Sequence, residues 1–479
     1  MELTKEQINA VKEAKDKAKA AMEKAGTEVK EKHNNIWTTL QNSENVMVGI
    51  FEGKQPGENV PGNYEYGPIL YILNNDVYGF ITDTLKDVFD MPKSTITKAQ
   101  WDKYVATINA KGYVAGDGTL IQSDAANEQY GAADYLWAIA LFEYLINDLL
   151  EDSFADFGIN PAEVVIPCID KKNKKKLKVV IIGDWGTGIW KDGGKPKCPS
   201  QLVMEQVKSM DPDVVIHLGD VYYAGTEKLT LLLPPEESGN FTDVWDSGTK
   251  MNFTLNSNHE MYNGGKGYFH IALNPKNLTF FANQNQTSFF SLEFGQWLIL
   301  GLDSAYYDPS TMFMDGALWK GDKPEVEGEI KQHDFIKKAV SKGKKIIAMT
   351  HHNPINTDGQ GTPKILWDQL MKAMGGTNPD YWYWGHIHNG IVYTDKSVAG
   401  GKTKCRCSGH AAIPFGDGHW LGDSKSKGLV EYYANTPMQN PDANQENRVL
   451  NGFAVLTLSE NDIKEEFYVT GNSSPVWSK

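Results

Sequence analysis

The sequence predicts an α/β protein preceded by a mostly helical N-terminal part, and two observations support this. From residue 177 onward, short runs of β-branched residues alternate with segments of helical periodicity, a pattern typical of α/β proteins. Before that point, apolar residues recur at helical intervals instead. We therefore expect a mostly helical domain at residues 1–170, and an α/β domain at residues 171–479.

In the N-terminal part, the apolar spacing predicts helices over 4–33, 76–90, 97–111 and 128–152. Thr97 and Gln100 have the spacing of a capping box at the start of the third helix. Prolines and glycines mark residues 35–70 as irregular. No ligand or catalytic motif occurs here, so this part is either a cap on the second domain or an interaction module in its own right.

In the second domain, apolar runs and amphipathic segments succeed one another along the chain. The tail alternates apolar and polar residues around an Asn-Asp turn, which predicts a β-hairpin over 452–469. The other predicted strands are 178–183, 213–218, 252–256, 288–293, 296–302, 344–350, 381–385, 391–394 and 403–408, and the predicted helices are 199–210, 325–341 and 364–374.

Composition excludes several classes of function. The 479 residues are 41% hydrophobic and 23% charged, as in ordinary soluble globular proteins. A formal net charge of −14 disfavours a nucleic-acid partner. Four cysteines do not make a disulfide framework. The opening residues are polar, and no apolar run is long enough to cross a membrane, so we expect a cytoplasmic protein without a membrane partner.

Polar residues of ligand type follow five of the apolar runs, where open α/β sheets bind their ligands. Carboxylates, an amide and imidazoles form a mixed oxygen and nitrogen set that suits Zn, Fe or Mn better than Ca or Mg. The set exceeds the needs of one ion and therefore indicates a two-metal site, which can clamp both oxygens of a phosphoryl displacement. In chain order the residues are Asp184, Asp220, Asn258, His351 or His352, and the pair His386 and His388.

Taken together, these segments resemble the metallophosphoesterase (calcineurin-like) superfamily and, within it, the purple acid phosphatase branch. Most of that superfamily has a ligand histidine where Gly186 stands, and the purple acid branch replaces it with a tyrosinate three residues after the second Asp, the place of Tyr223. Ser257 departs from the usual glycine. The motifs are Asp184-Trp185-Gly186, Gly219-Asp220-Val221-Tyr222-Tyr223, Ser257-Asn258-His259-Glu260, the strand-terminal histidine and Gly385-His386-Ile387-His388.

The resemblance implies an αββα four-layer sandwich and two metal ions bridged by Asp220. One ion would take Asp184, Asp220, Tyr223 and His388, and the other Asp220, Asn258, His386 and the strand-terminal histidine, for which we prefer His351. The implied metals are Fe(III) with Zn, Mn or Fe(II), although Mn/Mn or Zn/Zn pairs also fit such a site.

The implied reaction is hydrolysis of a phosphate ester by metal-bound hydroxide, with Asp220 and His259 as catalytic residues. A small phosphomonoester is the preferred substrate because His259 can protonate a leaving group. The alternatives are a phosphodiesterase or pyrophosphatase on the same site, and a metal-free protein-binding scaffold. His352, His410 and Arg406 are candidate substrate-binding residues.

Overall fold

A computed structural model describes most of the chain. The described residues are 4–24, 27–51, 67–75, 79–111, 113–114, 120–121, 129–131, 134–149, 154–155, 160–170, 173–174, 176–230, 233–248, 251–321, 332–361, 364–416, 421–434 and 447–479.

The helices concentrate in the N-terminal part and then alternate with strands. They are α1 (Lys5–Lys24), α2 (Thr27–Phe51), α3 (Gly67–Asn74), α4 (Phe80–Phe89), α5 (Lys98–Lys111), α6 (Leu136–Leu149), α7 (Pro199–Ser209), α8 (Glu236–Val244), α9 (Asn258–Met261), α10 (Gln332–Val340), α11 (Ile365–Ala373) and α12 (Leu421–Ser426).

The strands are short in the N-terminal part and longer from residue 177 onward. They are β1 (Tyr113–Val114), β2 (Leu120–Ile121), β3 (Ala162–Val165), β4 (Ile169–Asp170), β5 (Asn173–Lys174), β6 (Leu177–Ile182), β7 (Val214–His217), β8 (Met251–Thr254), β9 (Phe290–Phe294), β10 (Trp297–Gly301), β11 (Lys345–Met349), β12 (Tyr381–Trp384), β13 (Gly390–Tyr393), β14 (Lys404–Ser408), β15 (Phe415–Gly416), β16 (Val430–Tyr433), β17 (Asn447–Arg448), β18 (Gly452–Leu458), β19 (Ile463–Val469) and β20 (Trp477–Ser478).

Strands from residue 162 onward form two large sheets. One has six strands in the order β20-β19-β18-β6-β7-β8, and the other has eight in the order β16-β13-β14-β12-β11-β10-β9-β3. Strands β6, β7 and β8 run parallel in the first sheet, and β10, β11, β12 and β14 run parallel in the second. The carboxyl ends of neighbouring parallel strands therefore share an edge in each sheet.

The two sheets share a buried core, which makes them a sandwich. Alternate residues of a strand point to opposite faces, so Val179 and Ile181 of β6 pack against Ile347 and Met349 of β11 in one apolar cluster. The residues between them belong to a second cluster that also contains the buried faces of α7, α10 and α11. Helices thus cover the outer faces of the sheets, and this mixed α/β sandwich with a helical N-terminal region confirms the predicted fold class.

The helical N-terminal part shares one apolar cluster with later segments of the chain. Leu70, Phe89 and Leu141 lie in the same buried cluster as Tyr222 and Tyr223. The helices therefore pack directly on the loops that follow β7.

Two details of the N-terminal helices can be compared with the sequence pattern. The capping box is present: Thr97 N–H donates to Gln100 Oε1 over 2.9 Å, and Gln100 N–H donates to Thr97 Oγ1 over 3.3 Å. The predicted helix over 4–33 is instead two helices, and α2 continues to Phe51 through residues expected to be irregular. Burial of Ile36, Trp37 and Leu40 stabilises α2, while residues 52–66 of that stretch lie outside the described residues.

A buried ion pair joins the two sheets inside the sandwich. Arg406 of β14 donates from Nε and Nη2 to the two oxygens of Glu465 on β19, over 2.7 and 2.9 Å. The Tyr383 hydroxyl adds a third hydrogen bond to this carboxylate over 2.5 Å. Arg406 is 1% exposed and Glu465 is 2% exposed, so each charge depends on the other for compensation.

None of the described helices is both long enough and apolar enough to span a bilayer.

The ion pair predicts that two neighbouring substitutions lower the free energy of unfolding by different amounts. Glu465→Gln leaves the Arg406 charge buried without its counter-charge, and we expect a loss of about 3–5 kcal/mol in the free energy of unfolding. Glu466→Gln is the matched control, because its partner Lys464 is exposed and stays solvated when the carboxylate is removed, so we expect a loss of about 1 kcal/mol or less. Urea titrations of both variants measure the difference, and equal losses would contradict the structural role of the pair.

Candidate metal centre

The predicted ligands come together where the carboxyl ends of five strands meet. Asp184 follows β6, Asp220 follows β7, and Asn258 follows β8 in the six-stranded sheet, while His351 follows β11 and the segment beginning at His386 follows β12 in the eight-stranded sheet. The two sheets thus contribute from opposite sides, as expected for ligand sites of open α/β sheets.

Four of these residues have left-handed backbone conformations. The φ angles are +57° at Asp184, +75° at Asp220, +69° at His386 and +45° at His388. Such angles are uncommon for residues other than glycine, and they cluster at functional sites, where the surrounding structure maintains them. Four in one cluster indicate that the chain turns sharply to direct these side chains inward.

One set of donor atoms consists of Asn258, His351 and His386. Asn258 Oδ1 lies 2.8 Å from His351 Nε2 and 3.2 Å from His386 Nδ1, and the two imidazole nitrogens lie 3.2 Å apart. The 2.9 Å contact from His351 Nδ1 to the Leu218 carbonyl oxygen assigns the ring proton to Nδ1. Burial lowers the pKa of His351 to about 4, so the ring is neutral and Nε2 presents a lone pair.

The amide oxygen of Asn258 also presents lone pairs, since its Nδ2 donates to the Tyr262 hydroxyl over 3.0 Å. Two acceptors 2.8 Å apart cannot form a hydrogen bond with each other. A cation between them satisfies both, and imidazole nitrogens with an amide oxygen suit Zn, Fe or Mn. The residues of this set therefore fit a metal ion.

The second set consists of Asp184, Asp220 and His388, together with the phenol of Tyr222. Suitable ligand atoms of the first three all lie within 4.8 Å of one another. The Tyr222 hydroxyl donates to Asp220 Oδ2 over 2.8 Å and lies 3.0 Å from His388 Nε2. The other carboxylate oxygen of Asp220, Oδ1, lies 3.3 Å from His351 Nε2. Asp220 therefore faces both sets, one oxygen to each.

The pKa values of the Asp184 and Asp220 carboxyl groups are shifted in opposite directions. Burial, and next the Asp220 carboxylate, raise the pKa of Asp184 well above its ordinary value. Burial also disfavours ionised Asp220, but His351, His259 and His388 outweigh it and hold the pKa of Asp220 well below its ordinary value. Like charges this close resist joint ionisation unless positive charge is added, which is a further indication of a cation site.

The tyrosine at the site is Tyr222, where the sequence pattern indicated Tyr223. The Tyr223 hydroxyl donates to Asp134 of the helical part, and the Tyr223 ring stacks on Tyr130 with centroids 4.8 Å apart. The Tyr223 hydroxyl thus points away from the ligand cluster, and the Tyr222 hydroxyl lies beside it. Spacing along the chain counts residues and does not determine which of two adjacent rings points inward.

Gly186 stands where most of the resembled superfamily has a ligand histidine, and its surroundings explain the difference. A Cβ atom at residue 186 would lie 2.5 Å from the Asp220 carbonyl oxygen and 2.5 Å from Val221 Cα. The Gly186 backbone pairs directly with this segment, donating to Asp220 O and accepting from Tyr222 N, each over 3.0 Å. The loops after β6 and β7 are too close for any side chain here.

Two residues that sequence reasoning left without a role support Asp220. Ser257 Oγ lies 2.5 Å from Asp220 Oδ1 and also contacts the Glu260 carboxyl. Burial, and next the Asp220 carboxylate, raise the pKa of Glu260 well above its ordinary value, which favours its neutral form. Neutral Glu260 can donate to Ser257, which then donates to Asp220. Ser257, noted in the sequence as a departure from glycine, was the available signal.

His259 lies beside the cluster with one ring nitrogen committed. Nδ1 lies 2.6 Å from the Tyr223 carbonyl oxygen and donates to it, so Nε2 is the ring atom that can reach an ester oxygen. The imidazole packs edge-on against Tyr222, with ring centroids 4.6 Å apart. Burial, against the opposing Asp220 charge, lowers the pKa of His259.

The three predicted substrate-binding residues do not face the cluster as expected. Arg406 lies inside the sandwich on Glu465. The ring of His410 is fully buried, close to Gly390 and Gly452. These two predictions are corrected: both residues belong to the core.

His352 lies closer to the cluster. One of its ring nitrogens is near enough to those of His351 and His386 for the three residues to hold an ion together. Both nitrogens are nevertheless engaged: Nε2 lies 2.7 Å from the Phe313 carbonyl oxygen and Nδ1 lies 2.9 Å from Ser304 Oγ. Nε2 must carry the proton toward the carbonyl, and so offers no lone pair. His351 is the histidine of this pair whose lone pair faces the cluster.

Fold and site together define an α/β protein with a candidate centre for two metal ions. Residues 177–390 match the family model described as calcineurin-like phosphoesterase (Metallophos). The match supports the metallophosphoesterase superfamily for this part of the chain, and it indicates metal-dependent hydrolysis of phosphoesters.

Solved structures also match this chain. A solved chain titled "GAP50 the anchor in the inner membrane complex of Plasmodium" is 15% identical, with a TM-score of 0.39 over 64% of this chain and 88% of that chain. No curated protein matches the sequence.

The close approach at Gly186 predicts that even a methyl group is harmful there. Gly186→Ala forces the loops after β6 and β7 apart, and we expect it to lower the free energy of unfolding by about 1–3 kcal/mol and to weaken metal uptake. Gly239→Ala is the control, because a Cβ atom there meets nothing within 4 Å, and alanine favours a helix by about 1 kcal/mol. Thermal melts and metal titration compare the two, and normal metal uptake by Gly186→Ala would contradict the expectation.

Proposed function

We propose that this protein is a dinuclear metal-dependent phosphomonoesterase of the purple acid phosphatase type. The observation that carries the proposal is the convergence of acceptor atoms in two adjoining sets, with Asp220 between them. The family match supports the reaction class, and the phenol of Tyr222 among the donors supports the branch.

In this proposal, Asp184, Asp220, His388 and Tyr222 hold one ion, and Asp220, Asn258, His351 and His386 hold the other. Bound metal ions neutralise phosphate charge and lower the pKa of water. Burial, and next the Asp220 and Asp184 carboxylates, raise the pKa of Tyr222 well above its ordinary value. The phenol therefore keeps its proton unless a strongly charged cation is present, which favours Fe(III) in the Tyr222 site.

His259 is the residue of this chain that assists bond cleavage directly, as a proton donor. Its Nδ1 proton is held by the Tyr223 carbonyl oxygen, so a second proton on Nε2 would be the one given to the departing alkoxide. A leaving alcohol of high pKa needs such a proton, which is why a monoester of an alcohol is the substrate that fits this arrangement. The same argument supports a small phosphorylated molecule as the substrate.

The metal assignment predicts a colour that depends on one of two adjacent tyrosines. We expect iron with a second metal in the purified protein, and a visible phenolate-to-Fe(III) absorption band that Tyr222→Phe abolishes. Tyr223→Phe is the matched control and keeps the band, because the Tyr223 hydroxyl bonds to Asp134. Elemental analysis and visible spectroscopy give the answer.

The other outcomes separate the alternatives. Loss of the band in Tyr223→Phe would reverse the assignment of the phenol. Two equivalents of Zn or Mn without a visible band would agree with a hydrolase but contradict the purple acid assignment. Diester and pyrophosphate substrates would then be tested next. Failure to take up metal on reconstitution would favour the metal-free scaffold.

His259 predicts a pH dependence limited to poor leaving groups. Because the pKa of His259 is lowered from 6.5, the protonated ring is abundant in acid and is lost as the pH rises through that lowered value. We expect kcat/KM for an alkyl phosphate to fall over this range. His259→Asn should lower it by about 10²–10⁴-fold and remove this limb.

The matched substrate is 4-nitrophenyl phosphate, whose leaving group departs without a proton. We expect His259→Asn to affect it far less than the alkyl ester. Equal losses for the two substrates would show that His259 binds the phosphoryl group and does not protonate the leaving group.

A further inference from the structure

We propose that Trp137 of the helical N-terminal part is a specificity-determining residue that selects phosphate esters with an aromatic ring close to the ester oxygen. The inference rests on the proposed function, because it assigns the leaving-group side of the same site. It also gives the helical part a role that the sequence did not show.

The first step is the position of the leaving group. With Nδ1 of His259 bonded to the Tyr223 carbonyl oxygen, an ester oxygen that takes a proton must come within about 3 Å of Nε2. The group attached to that oxygen then begins beside the His259 ring.

The second step is what lies beside that ring. The Trp137 ring centroid is 5.8 Å from that of His259 and 6.1 Å from that of Tyr222. Trp137 is partly exposed, whereas Tyr222 and Tyr223 are buried. Among these neighbours of His259, Trp137 is therefore the ring that keeps exposed surface, and the proposal places the leaving group against it.

The third step is rigidity. Trp137 lies in the first turn of α6, where Asp134 Oδ1 accepts from Leu136 N over 3.0 Å. Asp134 Oδ2 accepts from Tyr130 N over 2.8 Å and from the Tyr223 hydroxyl. These bonds connect the start of α6 to the loop of the metal centre, so the indole is held in place before a substrate binds and little ordering cost remains.

The fourth step is the chemistry of the surface. Trp137 packs edge to face on Tyr223, with centroids 4.9 Å apart and an interplanar angle of 77°, and on Tyr130 at 6.0 Å. Aromatic surfaces favour aromatic partners beyond the effect of buried area alone. An aryl or benzyl group on the ester oxygen therefore packs on the Trp137 ring more favourably than an aliphatic group of the same size.

The test compares benzyl phosphate with cyclohexylmethyl phosphate, two primary-alcohol esters of similar size that differ in aromaticity. We expect the wild-type enzyme to prefer the benzyl ester, and Trp137→Ala to reduce that preference about fivefold to tenfold through KM with little change in kcat, the size of one aromatic contact. Trp137→Phe should retain most of it. Trp101→Ala is the control, since Trp101 stacks on Tyr71 within the helical part.

Binding of benzylphosphonate, measured by calorimetry on metal-loaded wild type and Trp137→Ala, separates this inference from the proposed function. If no ester is hydrolysed but phosphonate binding weakens in Trp137→Ala, the proposed reaction fails and the role of Trp137 stands. Equal kcat losses for both esters with unchanged KM would overturn it, since they indicate a structural role. A Trp137-dependent preference for phosphocholine would also overturn it, in favour of a cation–π site.

Discussion

Lone pairs that face one another at short range are the constraint on which the centre depends. Asn258, His351 and His386 direct ring or amide atoms at a common point, and the donor atoms of Asn258 and His351 are bound elsewhere. Leu218 accepts the proton of His351, and Tyr262 accepts that of Asn258. The protein therefore fixes the polarity of the site by bonding its hydrogens on the outside.

Acceptor atoms that face one another repel, so a rigid scaffold must hold them in place. The two sheets of the sandwich provide that scaffold from opposite sides. Each sheet contributes ligands from the carboxyl ends of parallel strands, so the distance between the sheets sets the distance between ligand groups. The buried pair Arg406 and Glu465 connects the sheets, and the helical part packs on Tyr222 and Tyr223.

The sequence was most informative where function depends on position along a strand. Apolar runs ending in Asp184, Asp220, Asn258, His351 and His386 could be recognised because strand ends are marked locally. Contacts between distant segments could not: the partner of Arg406 lies on another sheet, and the choice between Tyr222 and Tyr223 is made by Asp134 and Tyr130. The role of α6 at the site was hidden for the same reason, since nothing in its own periodicity records what it packs on.

Gly186 also limits how this site can be changed. A histidine at residue 186 would collide with the backbone of Asp220 and Val221, so a single substitution cannot add an imidazole ligand at this place. The loops would first have to separate, which would displace Tyr222 and Asp220 together.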